Sequence, residues 1–123
     1  MQISLDPNFG KYYIRSYEAG QFMVNDQIIQ QSIIVTPDQL ITNWPPQIFV
    51  ELQQEHLQTL IAFQPEVVLL GTGIQQHFFT PEFLTLFYQQ HIGIEVMTTA
   101  AASRTYNVLI SEGRKVVAGL LVR

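Results

Sequence analysis

Cysteine is missing from this sequence, which excludes disulfides, thiol catalysis and thiolate metal sites together. Charge is scarce as well. Asp, Glu, Lys and Arg make up 13% of the 123 residues, where an ordinary soluble chain carries roughly 25%. The net charge is −4, and the six basic residues form no cluster. A chain with no basic patch cannot neutralise several phosphates at once, so DNA and RNA are not expected partners. Long apolar runs are also lacking. The longest, such as Val116 to Val122, fall far short of the roughly 20 residues that an integral membrane segment needs. The start, MQISLDPN, has neither a basic region nor an apolar stretch of the secretory kind. The expectation is a soluble, cytoplasmic protein.

What is present is an apolar share of 47% and a surface chemistry supplied by glutamine, often in pairs such as Gln30-Gln31, Gln53-Gln54, Gln75-Gln76 and Gln89-Gln90. A weakly charged surface opposes association less than a charged one, which favours a protein partner or a homo-oligomer. At this length one domain, residues 1–123, is expected.

The first third reads as an antiparallel meander. Tyr12 to Tyr17 is rich in β-formers, Phe22–Val24 and Ile28-Ile29 flank an Asn25-Asp26 turn, and Ser32 to Thr36 is a further strand ended by Pro37. Leu40-Ile41 reads as a short strand before Asn43-Trp44-Pro45-Pro46. The rhythm then changes. Leu52, Leu57, Leu60 and Ile61 mark a helix from about Val50 to Phe63, and Glu66 to Leu70 reads as a strand buried on both faces, ending in Gly71-Thr72-Gly73. Thr80-Pro81-Glu82 starts a helix that Gly93 stops, Ile94 to Met97 is a strand, and Thr98 or Thr99 caps a helix running to Glu112-Gly113. Lys115 to Val122 is the closing strand. The fold class is α/β, with an N-terminal antiparallel β-meander and a βαβαβ C-terminal half. Right-handed crossovers put Val67–Leu70 beside Ile94–Met97, so their carboxyl ends share one edge.

Three stretches, VVLLGTG (67–73), GIEVMTTAAASRTYNVL (93–109) and EGRKVVAGLL (112–121), resemble a family of small domains of unknown function. It includes mitochondrial complex I assembly factor 3-like proteins and adipogenesis-associated Mth-type domain proteins. The resemblance implies a compact three-layer α/β single domain with a mixed central sheet and additional strands, no established cofactor or reaction, and a role in assembly or protein interaction. Where many members look to carry Cys, this chain has Ser103, so no thiol role carries over.

The candidate chemistry follows from position. Gly71, Thr72 and Gly73 end a parallel strand, where α/β sheets place ligand crevices. They form only half a dinucleotide fingerprint, because Gln76 occupies the third glycine position and Pro81 starts the helix too late; Glu95 mimics the ribose-binding acid only superficially. Thr98 and Thr99 open a helix at the same edge, and with Ser103, Arg104 and Asn107 they make a candidate site for a small anionic ligand. Ala101, Thr105, Val108 and Leu109 are expected to supply the buried stripe of that helix, and the competing reading makes Arg104 and Asn107 an internal clamp. His56, His77 and His91 stand apart and read as surface residues; Asp6, Asp26 and Asp38 read as turn residues. Trp44, Phe78 and Phe79 are candidate interaction residues, Trp44 alternatively plugging the core edge. No catalytic set and no metal set stands out. The leading expectation is a non-enzymatic interaction or assembly module; the alternative is a small-molecule or anion-binding domain, with or without enzymatic activity, whose cleft lies at the sheet edge by Gly71–Gly73 and the start of the Thr98 helix.

Overall fold

The computed structural model describes residues 11–123; the expected features of the opening MQISLDPN, Asp6 included, lie outside them. The described chain begins with an antiparallel meander of β1 (Ile14–Glu18), β2 (Gln21–Val24) and β3 (Gln27–Ile29). Val24 pairs with Gln27 across Asn25-Asp26, and Asn25 takes the left-handed conformation (φ 52°) that Asn tolerates in tight turns.

A five-stranded mixed sheet follows, made of β4 (Ile33–Val35), β5 (Leu40–Ile41), β6 (Val67–Gly71), β7 (Gly93–Met97) and β8 (Val116–Leu120), in the order β5-β4-β8-β6-β7. β6 is parallel to both β7 and β8, whereas β4 runs antiparallel to β8 and β5. The helices are α1 (Gln54–Ile61), α2 (Pro81–Tyr88) and α3 (Thr99–Ser111). None among the described residues is long and apolar enough to cross a membrane.

Strand alternation divides the interior in two. Ile33, Val35, Val67, Leu69, Val116, Ala118 and Leu120 point to one face, where Ala102, Tyr106 and Ile110 of α3 and Phe22, Val24 and Ile29 of the meander cover them. Ile34, Val68, Leu70, Val117 and Leu121 point to the other, under Leu57 and Leu60 of α1, Phe87 of α2 and Trp44. Because β6 and β8 are buried on both faces, their sequences are continuous apolar runs rather than alternating ones.

Three local expectations change. The predicted helix from Val50 divides into a 3₁₀ turn, Phe49–Glu51, and α1, because Leu52 and Gln53 between them are extended. At the end of α2, His91 takes the left-handed conformation (φ 57°) and Gly93 starts β7 rather than stopping the helix. The buried face of α3 is Thr99, Ala102, Ser103, Tyr106 and Ile110; Val108, expected inside, is 55% exposed. Ala101, Thr105 and Leu109 are half-buried at the margin of that face, whose centre is made of small residues with Tyr106 and Ile110.

Candidate functional site

The carboxyl ends of β6 and β7 and the start of α3 meet at one rim. The Thr72 amide donates to Met97 O at 2.8 Å, and the Thr99 amide donates to Gly73 O at 2.9 Å. The absence of a side chain at Gly71 permits this approach, since a Cβ there would lie 2.8 Å from Thr99 Cα. Thr99 Oγ1 accepts from the Gly73 amide at 2.8 Å and donates to Leu121 O at 2.6 Å, and it is buried. Thr98 caps α3 by accepting from the Ala101 amide at 3.3 Å. Thr72 Oγ1 donates to Gln75 O and accepts from the His77 amide. The expected residues therefore come together, but their polar groups are used on one another, and the chain around Leu121–Arg123 fills the space between them. A Cβ at Gly73 would fall on the Arg123 carbonyl. The crevice foreseen between Gly71-Thr72-Gly73 and Thr98-Thr99 is thus a closed joint.

Of the α3 side chains, Ser103 is buried and donates to Thr99 O at 2.8 Å. Asn107 pins the meander to the helix: its Oδ1 accepts from the Ile14 amide at 2.9 Å and its Nδ2 donates to Ile14 O at 2.7 Å. The amide side chain thereby acts as a surrogate strand along the outer edge of β1. Tyr106 adds a bond to Tyr12 O at 2.9 Å. Burial, with a smaller effect from the Asp38 charge, pushes its phenol well above the ordinary tyrosine range, so it remains a donor. Tyr17 donates to Val122 O at 2.8 Å; burial raises its pKa, opposed by the charge of Arg123. Arg104 takes no part in this clamp. It is exposed and beside a groove between β1 and α3 lined also by Arg15, Ser16, Ser103 and Asn107.

Replacing Asn107 with Leu, which keeps the side chain's size, leaves the Ile14 amide and carbonyl without these partners. Unfolding free energy is expected to fall by about 2 kcal/mol, read as a lower urea midpoint at unchanged slope. An unchanged midpoint would show that β1 is not held through Asn107.

The interaction candidates separate. Trp44 is only 2% exposed, with its indole edge against Gly119, and so leaves the surface set. Phe78 is 81% exposed, and Phe79 is half-buried against Phe49 and Phe83, with ring centroids 6.1 and 5.5 Å away. Sequence reasoning missed its neighbours. Phe49 stacks on His77 at 4.4 Å with the rings 5° from parallel, and Ile48, Val50 and Ile74 are exposed around them. His77 is therefore part of an aromatic cluster rather than an isolated surface residue. His56 is likewise half-buried, edge-on to Trp44, with Nδ1 accepting from the Gln53 amide at 2.9 Å. A shallow recess of about 300 Å³ runs between the 3₁₀ turn and the loop after β6, lined by Ile48, Phe49, Val50, Ile74 and His77 among others. Both walls are braced. Gln47 donates through Nε2 to Trp44 O and Pro45 O, its Oε1 accepts from the Ser32 amide, and Gln76 Nε2 donates to Val96 O. The signal available in the sequence was two short segments, Ile48-Phe49-Val50 and the Ile74 to Phe79 loop IQQHFF, each carrying large apolar residues outside any periodic helix or strand pattern.

Comparison with known proteins agrees with this architecture. Residues 14–121 match the model of a protein family of unknown function, DUF498/DUF598. A solved Xanthomonas campestris protein is 41% identical, with a TM-score of 0.82 over 99% of this chain and 92% of that one. A Bordetella pertussis protein described as a Mth938-like domain is 30% identical, with a TM-score of 0.81 over 99% and 92% of the two chains. The NADH dehydrogenase [ubiquinone] 1 alpha subcomplex assembly factor 3 of Bos taurus is 30% identical over 89% of this chain, which spans 60% of that relative's length. With its sequence matched over nearly its whole length and its two-core α/β architecture shared with solved relatives, the chain belongs to the DUF498/DUF598 family of proteins of unknown function, whose members are related to complex I assembly factors.

Proposed function

We propose that this domain is a non-enzymatic protein-interaction module of the assembly-factor kind, and that it binds an apolar segment of another protein at the surface made by Ile48, Phe49, Val50, Ile74, His77 and Phe78. One observation carries the reading. Of the seven large apolar side chains exposed among the described residues, three (Ile48, Val50 and Ile74) line this one recess, and Phe78, the most exposed of the seven, follows His77 of its wall in the chain. Single exposed apolar residues are ordinary; a cluster around a braced aromatic stack is what binding surfaces present. The relationship to a bovine protein named as an assembly factor supports the same reading. The low charge of the chain fits a surface whose contacts are made by shape and apolar area.

Affinity capture with the wild-type chain, followed by reconstitution from purified components, tests this directly. Phe78→Asp and Val50→Asp alter exposed positions, so stability is expected to change by no more than about 0.5 kcal/mol. Affinity for the captured partner is expected to fall by about 10-fold or more. A partner that binds all three proteins equally, or failure of the folded wild type to retain any partner at stoichiometric level, would overturn the proposal.

A further inference from the structure

We propose that the groove between β1 and the first half of α3 binds an oxyanion, the phosphate or carboxylate end of a small ligand. The groove has a volume of about 170 Å³, suited to a head group rather than to a whole metabolite, and Arg15, Ser16 and Arg104 line it. Two of the six basic side chains of a chain with net charge −4 therefore meet at one small concavity. An anion seated there would meet positive charge from both walls, and guanidinium groups offer planar donor forks that match a carboxylate or phosphate.

The donors are available. Arg104 is exposed and makes no hydrogen bond or ion pair with any described residue. Arg15 holds Asp26 at 3.3 Å, but the two side chains are 50% and 96% exposed, and such a pair contributes little and is readily exchanged. The Ser16 hydroxyl, also exposed and unpaired among the described residues, is a third donor. The wall behind them is fixed. Asn107 is fully engaged with Ile14, Ser103 with Thr99, and Tyr17 with Val122, so the cations project from a surface that does not have to rearrange. Ala100, also in the lining, belongs to the first turn of α3, where the helix dipole favours negative charge. Ser103 and Asn107, expected from sequence to be ligand groups, are here the frame that holds Arg104 and Arg15 in place.

The experiment is a titration of the ¹⁵N-labelled chain at neutral pH and constant ionic strength, with inorganic phosphate in one series, acetate in a second and chloride in a third. The expected result is a saturable shift of the Arg104 side-chain N–H and the Ser16 amide, with a Kd in the low millimolar range or tighter, in the phosphate or the acetate series but not with chloride. Saturation by phosphate alone assigns a phosphate-bearing ligand; saturation by acetate assigns a carboxylate. Arg104→Gln and Arg15→Gln should each raise the Kd by about 10-fold, while Lys115→Gln, before β8, leaves it unchanged. Shifts that stay linear to about 50 mM, that chloride reproduces, or that survive both arginine substitutions would overturn the site.

Discussion

Trp44→Ala is expected to lower the unfolding free energy by about 3–5 kcal/mol, the range for emptying a large aromatic from a packed core. The residue is 2% exposed, its amide donates to Ser32 O at 3.0 Å and its carbonyl accepts from Gln47 at 2.9 Å, so the backbone is not free to close the gap. The ring has its place because β8 presents no side chain there. A Cβ at Gly119 would lie 2.8 Å from the Trp44 Cη2 atom and 3.0 Å from Leu60 Cδ1. Gly119→Ala in the wild type should therefore cost about 1–3 kcal/mol through overpacking. In a Trp44→Phe background, where the outer ring is gone, the same change should cost less, giving a coupling of about 1 kcal/mol in a double-mutant cycle followed by urea unfolding. Strict additivity would mean that the two residues do not share this space.

Gly73→Ala should cost about 3 kcal/mol, combining a left-handed backbone with a steric conflict that no rotamer relieves. Gly73 has φ +95°, and the position of its missing Cβ coincides with the Arg123 carbonyl, main chain whose own amide is held by Gln47 O at 3.2 Å. Gly20 supplies the control. Its φ of +85° is comparable, but the nearest atom to a Cβ there is 3.4 Å away at the tip of the Arg123 side chain. Gly20→Ala should thus cost only the conformational penalty, about 1 kcal/mol. Thermal unfolding of both variants separates strain from crowding, and equal losses would refute the closed joint at Gly73.

The contrast between Gly73 and Trp44 shows how much the sequence discloses. Elements governed by local chemistry are legible: Thr80-Pro81 starts α2, Thr98 caps α3, Pro37 lies just beyond β4, and the apolar run at Val67 is a strand buried on both faces. The parallel pairing of β6 with β7 follows from crossover handedness. The antiparallel placement of β4 beside β8 does not, because nothing in either strand encodes the identity of its neighbour. At the candidate site, proximity is legible and availability is not. Gly71, Gly73 and Thr99 do meet, yet whether Thr99 Oγ1 faces a ligand or Leu121 O depends on where a strand more than 20 positions away ends. Asn107 is similar, since its partner Ile14 is 93 residues distant. The aromatic cluster escaped notice because Phe49 and His77 become neighbours only through the sheet.

The division of the interior into two cores has a consequence for how this molecule can be used and altered. The recess with Phe49 and Phe79 belongs to the layer holding α1 and α2, whereas the groove beside Arg104 belongs to the layer holding α3 and the meander. Arg123 spans the two layers: it lines the recess, and its side chain extends to Gly20 and Tyr17 of the meander, so a change there reaches both surfaces. A protein docked on one face and a small anion on the other would then sit back to back across the sheet, with Arg123 and Tyr17 as the link between them.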